Sequence, residues 1–388
     1  MPTQPQAVPL WLDCDPGHDD AFAILLAACH PMIKLLGIST VFGNASLEKT
    51  TYNATSILTA IGKHDQVAVY PGAAKASVRP RLHAPTDIHG ESGIDGTDLL
   101  PKPLRGPDRS VPAVDAMAAA VLAQSPGTAW IIATGTVTNV AEAIAKYPQL
   151  ADHIAGLSIM GGAVGDNFTS AVMGQVDGVA RIGNWTQWAE FNILVDPEAA
   201  DSIFRNEALA KKTTVIPLDV THLVLATKDV QDRLLYGSQA TAAANGKPKS
   251  TLRLMLVQLL NFFAETYRTV FGIDQGPPLH DPVAVAVALQ GLADGWDIPF
   301  YDYDVRAETT SSSPPRRRER FSVTVNTEGT HEEAKAGAHT GRTIATLLPE
   351  GTEGITIPRG LDISKFWTVI EECLQRADEA NAAAGRVP

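Results

Sequence analysis

Two hydrophobic periods alternate along the chain. Val8 to Asp13 (VPLWLD) is an apolar run that ends in an acid. Asp19 to Cys29 (DDAFAILLAAC) follows as a helix opened by carboxylates, which suit the positive end of a helix dipole. Leu35 to Phe42 forms the next strand-like run, ending at Gly43-Asn44, and Leu47 to Ile61 the next helix. Ala129 to Thr134 (AWIIAT) is a short buried strand followed by a helix over Val140 to Tyr147. Ile154 to Met160 ends at Gly161-Gly162, and Thr213 to Leu218 ends at Asp219. Apolar strands separated by helices predict an α/β fold: a single open, mostly parallel, Rossmann-like sheet with helices on both faces. In such a sheet, ligands bind beyond the carboxyl ends of the strands. No internal repeat of solenoid period is visible.

Three segments break the alternation. Arg79 to Gly96 is rich in Pro, His and Gly, Val164 to Gly183 carries glycines and polar residues without periodicity, and Thr309 to Arg320 (TTSSSPPRRRER) joins a Ser/Pro stretch to a basic run. The last reads as a solvated surface loop. No linker splits the chain. The expectation is one domain over residues 1–388, with a loop insertion near 164–183 and a flexible loop near 309–320.

Composition narrows the function classes. Lys plus Arg total 31 against 43 acidic residues, a formal charge of −12. Broad electrostatic binding to nucleic acid or to an anionic membrane is therefore not expected. Hydrophobic residues at 45% and charged residues at 19% describe a folded globular chain. The segment MPTQPQAVPLW has no basic region leading into an apolar core, and no stretch reaches the ~20 apolar residues of a membrane span. Cys14, Cys29 and Cys373 lack disulfide or zinc spacing, so a reducing, cytoplasmic compartment is expected.

The chemistry collects at the predicted strand ends. Asp13-Cys-Asp15-Pro-Gly-His-Asp19-Asp20 places four carboxylates in eight positions. One aspartate there would read as a helix cap. Four beside a tight Pro-Gly turn repel one another unless a cation sits among them, and hard oxygen ligands suit Ca²⁺ or Mg²⁺.

Asp13 to Ala27 (DCDPGHDDAFAILLA) strongly resembles the signature of nucleoside hydrolases of the inosine–uridine family. Further blocks resemble that family in order: Val41-Phe-Gly-Asn44, the loop His89-Gly-Glu-Ser-Gly-Ile-Asp-Gly96, and Thr134-Gly-Thr-Val-Thr-Asn139, with Thr136 where proline is usual. Met160-Gly-Gly, Ala189-Glu190-Phe191-Asn192 and His280-Asp281-Pro282 complete the series, from about Leu12 to Trp367.

The resemblance implies hydrolysis of a small-molecule ribonucleoside to ribose and free base, in nucleoside salvage, by a homodimer or homotetramer. Asp15, Asp20, Asp281 and the backbone carbonyl of Thr134 would bind one Ca²⁺, and Asp15 would act as general base on the water it holds. Asp19, Asn44, Asn184, Glu190 and Asn192 would bind ribose hydroxyls, Met160 would line the sugar pocket, and Phe191 lies with them. An N-glycosidic bond breaks through an oxocarbenium-like ribosyl cation, which clustered acids stabilise. His280 occupies the position of the leaving-group acid and favours the inosine–uridine type over the purine-specific type. His89, in its glycine-rich loop, and Tyr267, on a helix with Phe271, are candidates for contact with the base. His18 is expected behind the site, and Asp13 as a supporting hydrogen-bond acceptor. The stretch from about Asp166 to Gly178 is longer than compact family members carry and is expected near the mouth of the site.

Two other readings remain open at this stage. A Mg²⁺-dependent phosphohydrolase would use Asp13 as nucleophile and Asp15 as acid, but no phosphate-binding lysine and hydroxyls accompany them. A ribosyl-binding protein without turnover would have no need of both Asp15 and His280.

Overall fold

Runs of apolar and β-branched residues with buried positions on both sides build the central sheet. In the computed structural model, which describes residues 7–80, 82, 86–176, 178–237, 246–292, 295–306 and 317–385, the strands in chain order are β1 (Val8–Cys14), β2 (Ile33–Thr40), β3 (Val69–Pro71), β4 (Trp130–Ala133) and β5 (Gly156–Met160). They continue with β6 (Gln175–Val176), β7 (Val179–Ala180), β8 (Thr213–Ile216), β9 (Phe321–Val325) and β10 (Thr343–Leu347). Six of them form the predicted parallel sheet in the order β3-β2-β1-β4-β5-β8. The order runs outward in both directions from β1 and β4, so a crevice opens beyond their carboxyl ends.

Each strand serves two cores. Leu10, Leu12 and Cys14 of β1 face one apolar layer, with the helices Asp20–Cys29, Leu47–Ala60, Thr251–Thr266 and Ile363–Ala383. Trp11 faces the other, with the helices Ala113–Leu122, Thr138–Lys146 and Pro197–Phe204 and the antiparallel pair β9–β10. A strand covered on both faces reads as a continuous apolar run, which is why β1 shows no alternation.

Strand β2 ends at Thr40, two residues before its apolar run does. Val41 N–H turns to Cys14 O and Phe42 N–H to Ala73 O, so both side chains pack in a small cluster with Phe191 and Val195 instead of on the sheet. The Val164–Gly183 segment is an irregular loop carrying the β6–β7 ribbon. It is tied down by Asp219, whose carboxylate accepts from Val164 N–H at 2.8 Å and Gly165 N–H at 2.9 Å. Most of the Thr309–Arg320 stretch lies outside the described residues. Among the described residues no helix is long and apolar enough to cross a membrane.

The helix Thr251–Thr266, which leads to Tyr267, is fixed by a buried cation. Arg253 is fully buried and donates to Asp378 Oδ2 at 2.6 Å, Leu234 O at 2.7 Å and Glu371 Oε1 at 3.2 Å. Removing one member of such a network strands the others without compensation. Arg253→Ala is expected to destabilise the fold by about 3–5 kcal/mol, read as a lowered midpoint in urea or thermal unfolding.

Candidate active site

The crevice is lined by the loops that follow β1 and β4 and by the start of the helix Asp281–Ala286. Asp20 opens the helix Asp20–Cys29, and its carboxylate accepts from Gly17 N–H and Thr134 Oγ1–H, both at 2.9 Å. Oxygens of Asp19, Asp20 and Asp281 all lie within 4.8 Å of one another, a set that can hold a metal ion. Asp15 sits beside them. Its Oδ2 accepts from Asn44 N–H at 2.8 Å, while Oδ1 is buried with no partner.

Two glycines make room for Asp15. A Cβ on Gly43 would fall 2.0 Å from Asp15 Oδ2, and one on Gly135 would fall 2.5 Å from Oδ1. Either side chain would evict the carboxylate.

Burial and mutual repulsion set the charge state. Burial, then Asp20, pushes Asp15 well above the usual carboxylate range and Asp19 up to about 7. Asp281 is raised by burial and then by Asp19 and Asp20, and Asp20 is raised by burial. Without a cation these groups hold protons that aspartates ordinarily lose. The unpartnered Asp15 oxygen, the close triad and the hard donor set together fit a divalent cation.

Glu190 and Asn192 close the sugar side. Glu190 caps the helix Phe191–Val195, accepting from Asn192 N–H at 2.9 Å, Ile193 N–H at 3.1 Å and, from across the crevice, Gly162 N–H at 2.9 Å. Its carboxyl is pushed up to about 7 by burial. Asn192 Nδ2 donates to Thr134 O at 2.8 Å and to Met160 O at 3.2 Å, tying the ends of β4 and β5 together. The Thr134 carbonyl expected to face a metal thus already accepts this bond, and it is the Thr134 hydroxyl that meets Asp20. Asn184 Oδ1 accepts from Phe191 N–H at 2.8 Å.

In the same pocket, next to Asp281, His280 Nε2 lies 2.6 Å from the Tyr267 hydroxyl and Nδ1 lies 2.7 Å from Thr221 Oγ1. Burial holds His280 well below the usual imidazole range. Tyr267 stands on a π-helical turn, Tyr267–Phe271, which ends the helix Thr251–Thr266. Tyr267 lines the pocket, while Phe271 packs against His222 and does not line it.

The pocket thereby gathers Asp19, Asn44, His89, Thr134, Met160, Asn184, Glu190, Phe191, Asn192, Tyr267, His280 and Asp281. Asp13, Asp15 and Asp20 do not line it and lie fully buried beside it. Asp13 Oδ1 accepts from Ser39 Oγ–H at 2.5 Å and Asn139 Nδ2–H at 2.7 Å, which ties β1 to β2 and to the helix Thr138–Lys146. Sequence reasoning did not single out Thr221, Trp185, Ile88 or Phe263, which also border the pocket or its histidine. Thr221 lies two residues past Asp219, at a strand end that the pattern had marked. The larger groove beside Tyr52 and Leu99 has no comparable convergence of buried acids.

The sequence model of the inosine–uridine preferring nucleoside hydrolase family matches residues 10–368. A uridine nucleosidase of Saccharomyces cerevisiae is 38% identical over 376 residues, spanning 96% of this chain and 97% of its own. A pyrimidine-specific ribonucleoside hydrolase, RihA, of Escherichia coli is 38% identical over 284 residues, 73% of this chain and 80% of its own. Among solved structures, a purine-preferring ribonucleoside hydrolase from Gardnerella vaginalis superposes with a TM-score of 0.72 at 27% identity, over 96% of this chain and 99% of that one.

The raised carboxyls make stability depend on pH. Asp19 and Glu190 titrate near 7 when folded but near the ordinary carboxyl value when unfolded, so the native state binds more protons between those values. Stability is then greatest below the unfolded value and falls as pH rises through the folded one. Chelator-treated protein is expected to melt several degrees lower at about pH 8 than at about pH 5.5, and added calcium chloride is expected to raise the melting temperature most at the higher pH.

Proposed function

The chain belongs to the inosine–uridine preferring nucleoside hydrolase family and hydrolyses ribonucleosides, and we propose that it is a Ca²⁺-dependent hydrolase acting foremost on uridine. The observation that carries this reading is one pocket that brings a buried acidic cluster together with the His280–Tyr267 pair, His280 being next in the chain to Asp281. The full-length likeness to a uridine nucleosidase supports uridine over a purine nucleoside. A cytoplasmic role in nucleoside salvage, as a homodimer or homotetramer, goes with it.

Asp15, Asp20 and Asp281 would hold the cation, together with the Thr134 carbonyl and with Asp19 close by. Ca²⁺ bound there would offset the repulsion among the carboxylates and acidify the attacking water. Asp15 Oδ1, the buried oxygen without a partner, would take the proton from the attacking water. Glu190, Asn192, Asn44 and Asn184 orient the ribose. As the glycosidic bond lengthens, positive charge grows on the sugar, and the acids that were costly to bury now face the charge they complement. The departing base needs a proton. The His280–Tyr267 pair, 2.6 Å apart, would hand it the shared hydrogen and regain a proton from solvent, as Asp15 releases to solvent the one taken from water.

Incubation with uridine, cytidine, inosine and adenosine, followed by a reducing-sugar assay, tests the function. Ribose is expected from uridine in the presence of calcium, and no ribose from any of the four would refute it. Asp15→Asn is expected to lower kcat by about 10²–10⁴-fold while leaving KM nearly unchanged, because it removes a proton acceptor and not a ribose contact.

His280→Ala is expected to lower kcat for uridine by about 10²-fold or more, yet to leave a nitrophenyl riboside, whose leaving group departs without a proton, within a few-fold of the parent enzyme. Equal losses on both substrates would make His280 structural.

A further inference from the structure

Behind the pocket wall two histidines meet edge to edge. His18 Nδ1 lies 2.9 Å from His89 Nδ1, and His18 Nε2 lies 2.7 Å from the backbone carbonyl oxygen of Asp95. The ring centroids are 5.1 Å apart and the ring planes 28° apart. That separation is close to the nitrogen–nitrogen distance plus the two ring radii. The contact is therefore a nearly in-plane hydrogen bond, not a face-to-face stack. Phe262 covers one face of His18, with its ring 5.0 Å away and 10° from parallel, and Phe263 packs at 5.5 Å. A glycine lets the two rings approach: a Cβ on Gly17 would fall 2.8 Å from His89 Nδ1.

The direction of both bonds follows from one fact. A carbonyl oxygen only accepts, so Asp95 O requires the ring proton of His18 on Nε2. A neutral imidazole has one such proton, and His18, fully buried against the rings of Phe262 and Phe263 with His89 and a backbone carbonyl on its nitrogens, is held in the neutral form. His18 Nδ1 is then a bare acceptor, and His89 supplies the hydrogen from its own Nδ1. This leaves His89 Nε2 without a proton. His89 lines the pocket with Tyr267 and His280. The loop that carries it is closed on itself, with Asp95 N–H donating to His89 O at 3.1 Å and Glu91 N–H to Asp95 Oδ2 at 2.8 Å.

We propose that His18 is a positioning residue that fixes His89 as its Nδ1–H tautomer, so that His89 presents a proton-free Nε2 as hydrogen-bond acceptor to a donor on the ribonucleoside, either the ribose 5′-hydroxyl or a base N–H. The residue at this motif position thus acts on the substrate through a second ring, from outside the pocket. A free histidine in water favours the Nε2–H form, which would offer the substrate a donor instead. The kinetic consequences rest on the ribonucleoside-hydrolase reading; the tautomer itself does not.

Full-length protein labelled with [¹⁵N]histidine, in calcium-containing buffer, tests this through long-range ¹H–¹⁵N spectra that separate protonated from bare ring nitrogens. The expected spectrum has His89 protonated on Nδ1 and bare on Nε2, with His18 the reverse. His89 protonated on Nε2, or His18 protonated on both nitrogens, overturns the proposal, and this result needs no variant to fold. In His18→Phe, which keeps a ring of similar shape, His89 is expected to shift to the Nε2–H form, and kcat/KM for uridine to fall about tenfold, the worth of one lost hydrogen bond. An unchanged His89 tautomer in that variant also overturns it. Comparing uridine with 3-methyluridine and 5′-deoxyuridine identifies the donor: the effect of His18→Phe should vanish on the analogue that lacks it. A tenfold loss that is equal on all three substrates overturns the substrate contact.

Discussion

Carboxylates that repel one another at the centre of the molecule are the constraint to which the rest of this structure answers. Asp15, Asp19, Asp20 and Asp281 are each nearly inaccessible to solvent, and the influences that raise their pKa values are burial and one another. Such a cluster is unfavourable by itself. It persists because the fold over-determines it. Asp20 is held from two loops by Gly17 and Thr134, and Asp15 lies in a slot that Gly43 and Gly135 keep open. The strain is electrostatic, and a cation or a ribosyl cation relieves it.

Sheet topology decides where that constraint can be met. With β1 and β4 adjacent and the chain winding outward on either side, the loops after these strands diverge and leave a crevice. Every strand end near the crevice contributes a polar group, and bonds between loops turn the contributions into one surface. Asn192 bridges β4 to β5, Glu190 reaches back to Gly162, and Asn44 grips both the carboxylate and the backbone carbonyl of Asp15. The net charge of −12 is a statement about the surface as a whole. A few of those charges are withheld from solvent, and it is these that the chemistry concerns.

Much of this was legible in the sequence because strand ends announce themselves. Apolar runs that end beside a glycine marked the stretches holding Asp15, Asn44, Thr134 and Met160, and the family resemblance singled out these residues and Asp281. Groups that act through partners distant in the chain were not legible. Thr221 meets His280 across 59 positions and His18 meets His89 across 71, and nothing local to either residue reports such a contact. The π-helical turn under Tyr267 was hidden for a different reason. Its residues suit an ordinary helix, and only packing against His222 and His280 shows that the turn widens. Val41 and Phe42 extended the apparent second strand because an apolar side chain looks the same whether it faces the sheet or a cluster beneath the site.

The carboxyls and the imidazoles of the pocket respond to burial in opposite ways. Low dielectric pushes acids towards their neutral, protonated form and imidazoles towards their neutral, unprotonated form. The carboxyls are therefore pushed towards holding protons, whereas the buried imidazoles are pushed towards the neutral form, in which the direction of their hydrogen bonds matters. His280 between Tyr267 and Thr221, and His89 against His18, are each joined to a fixed neighbour through ring nitrogens. In such pairs the tautomer is set by the neighbour's chemistry: a backbone carbonyl behind His18, a hydroxyl on each side of His280. Hydroxyls both donate and accept, so the hydrogen between His280 and Tyr267 can change direction as a base departs. A carbonyl cannot donate, so the orientation imposed through His18 stays fixed. In the proposed mechanism one histidine moves a proton, and the other presents the same face throughout.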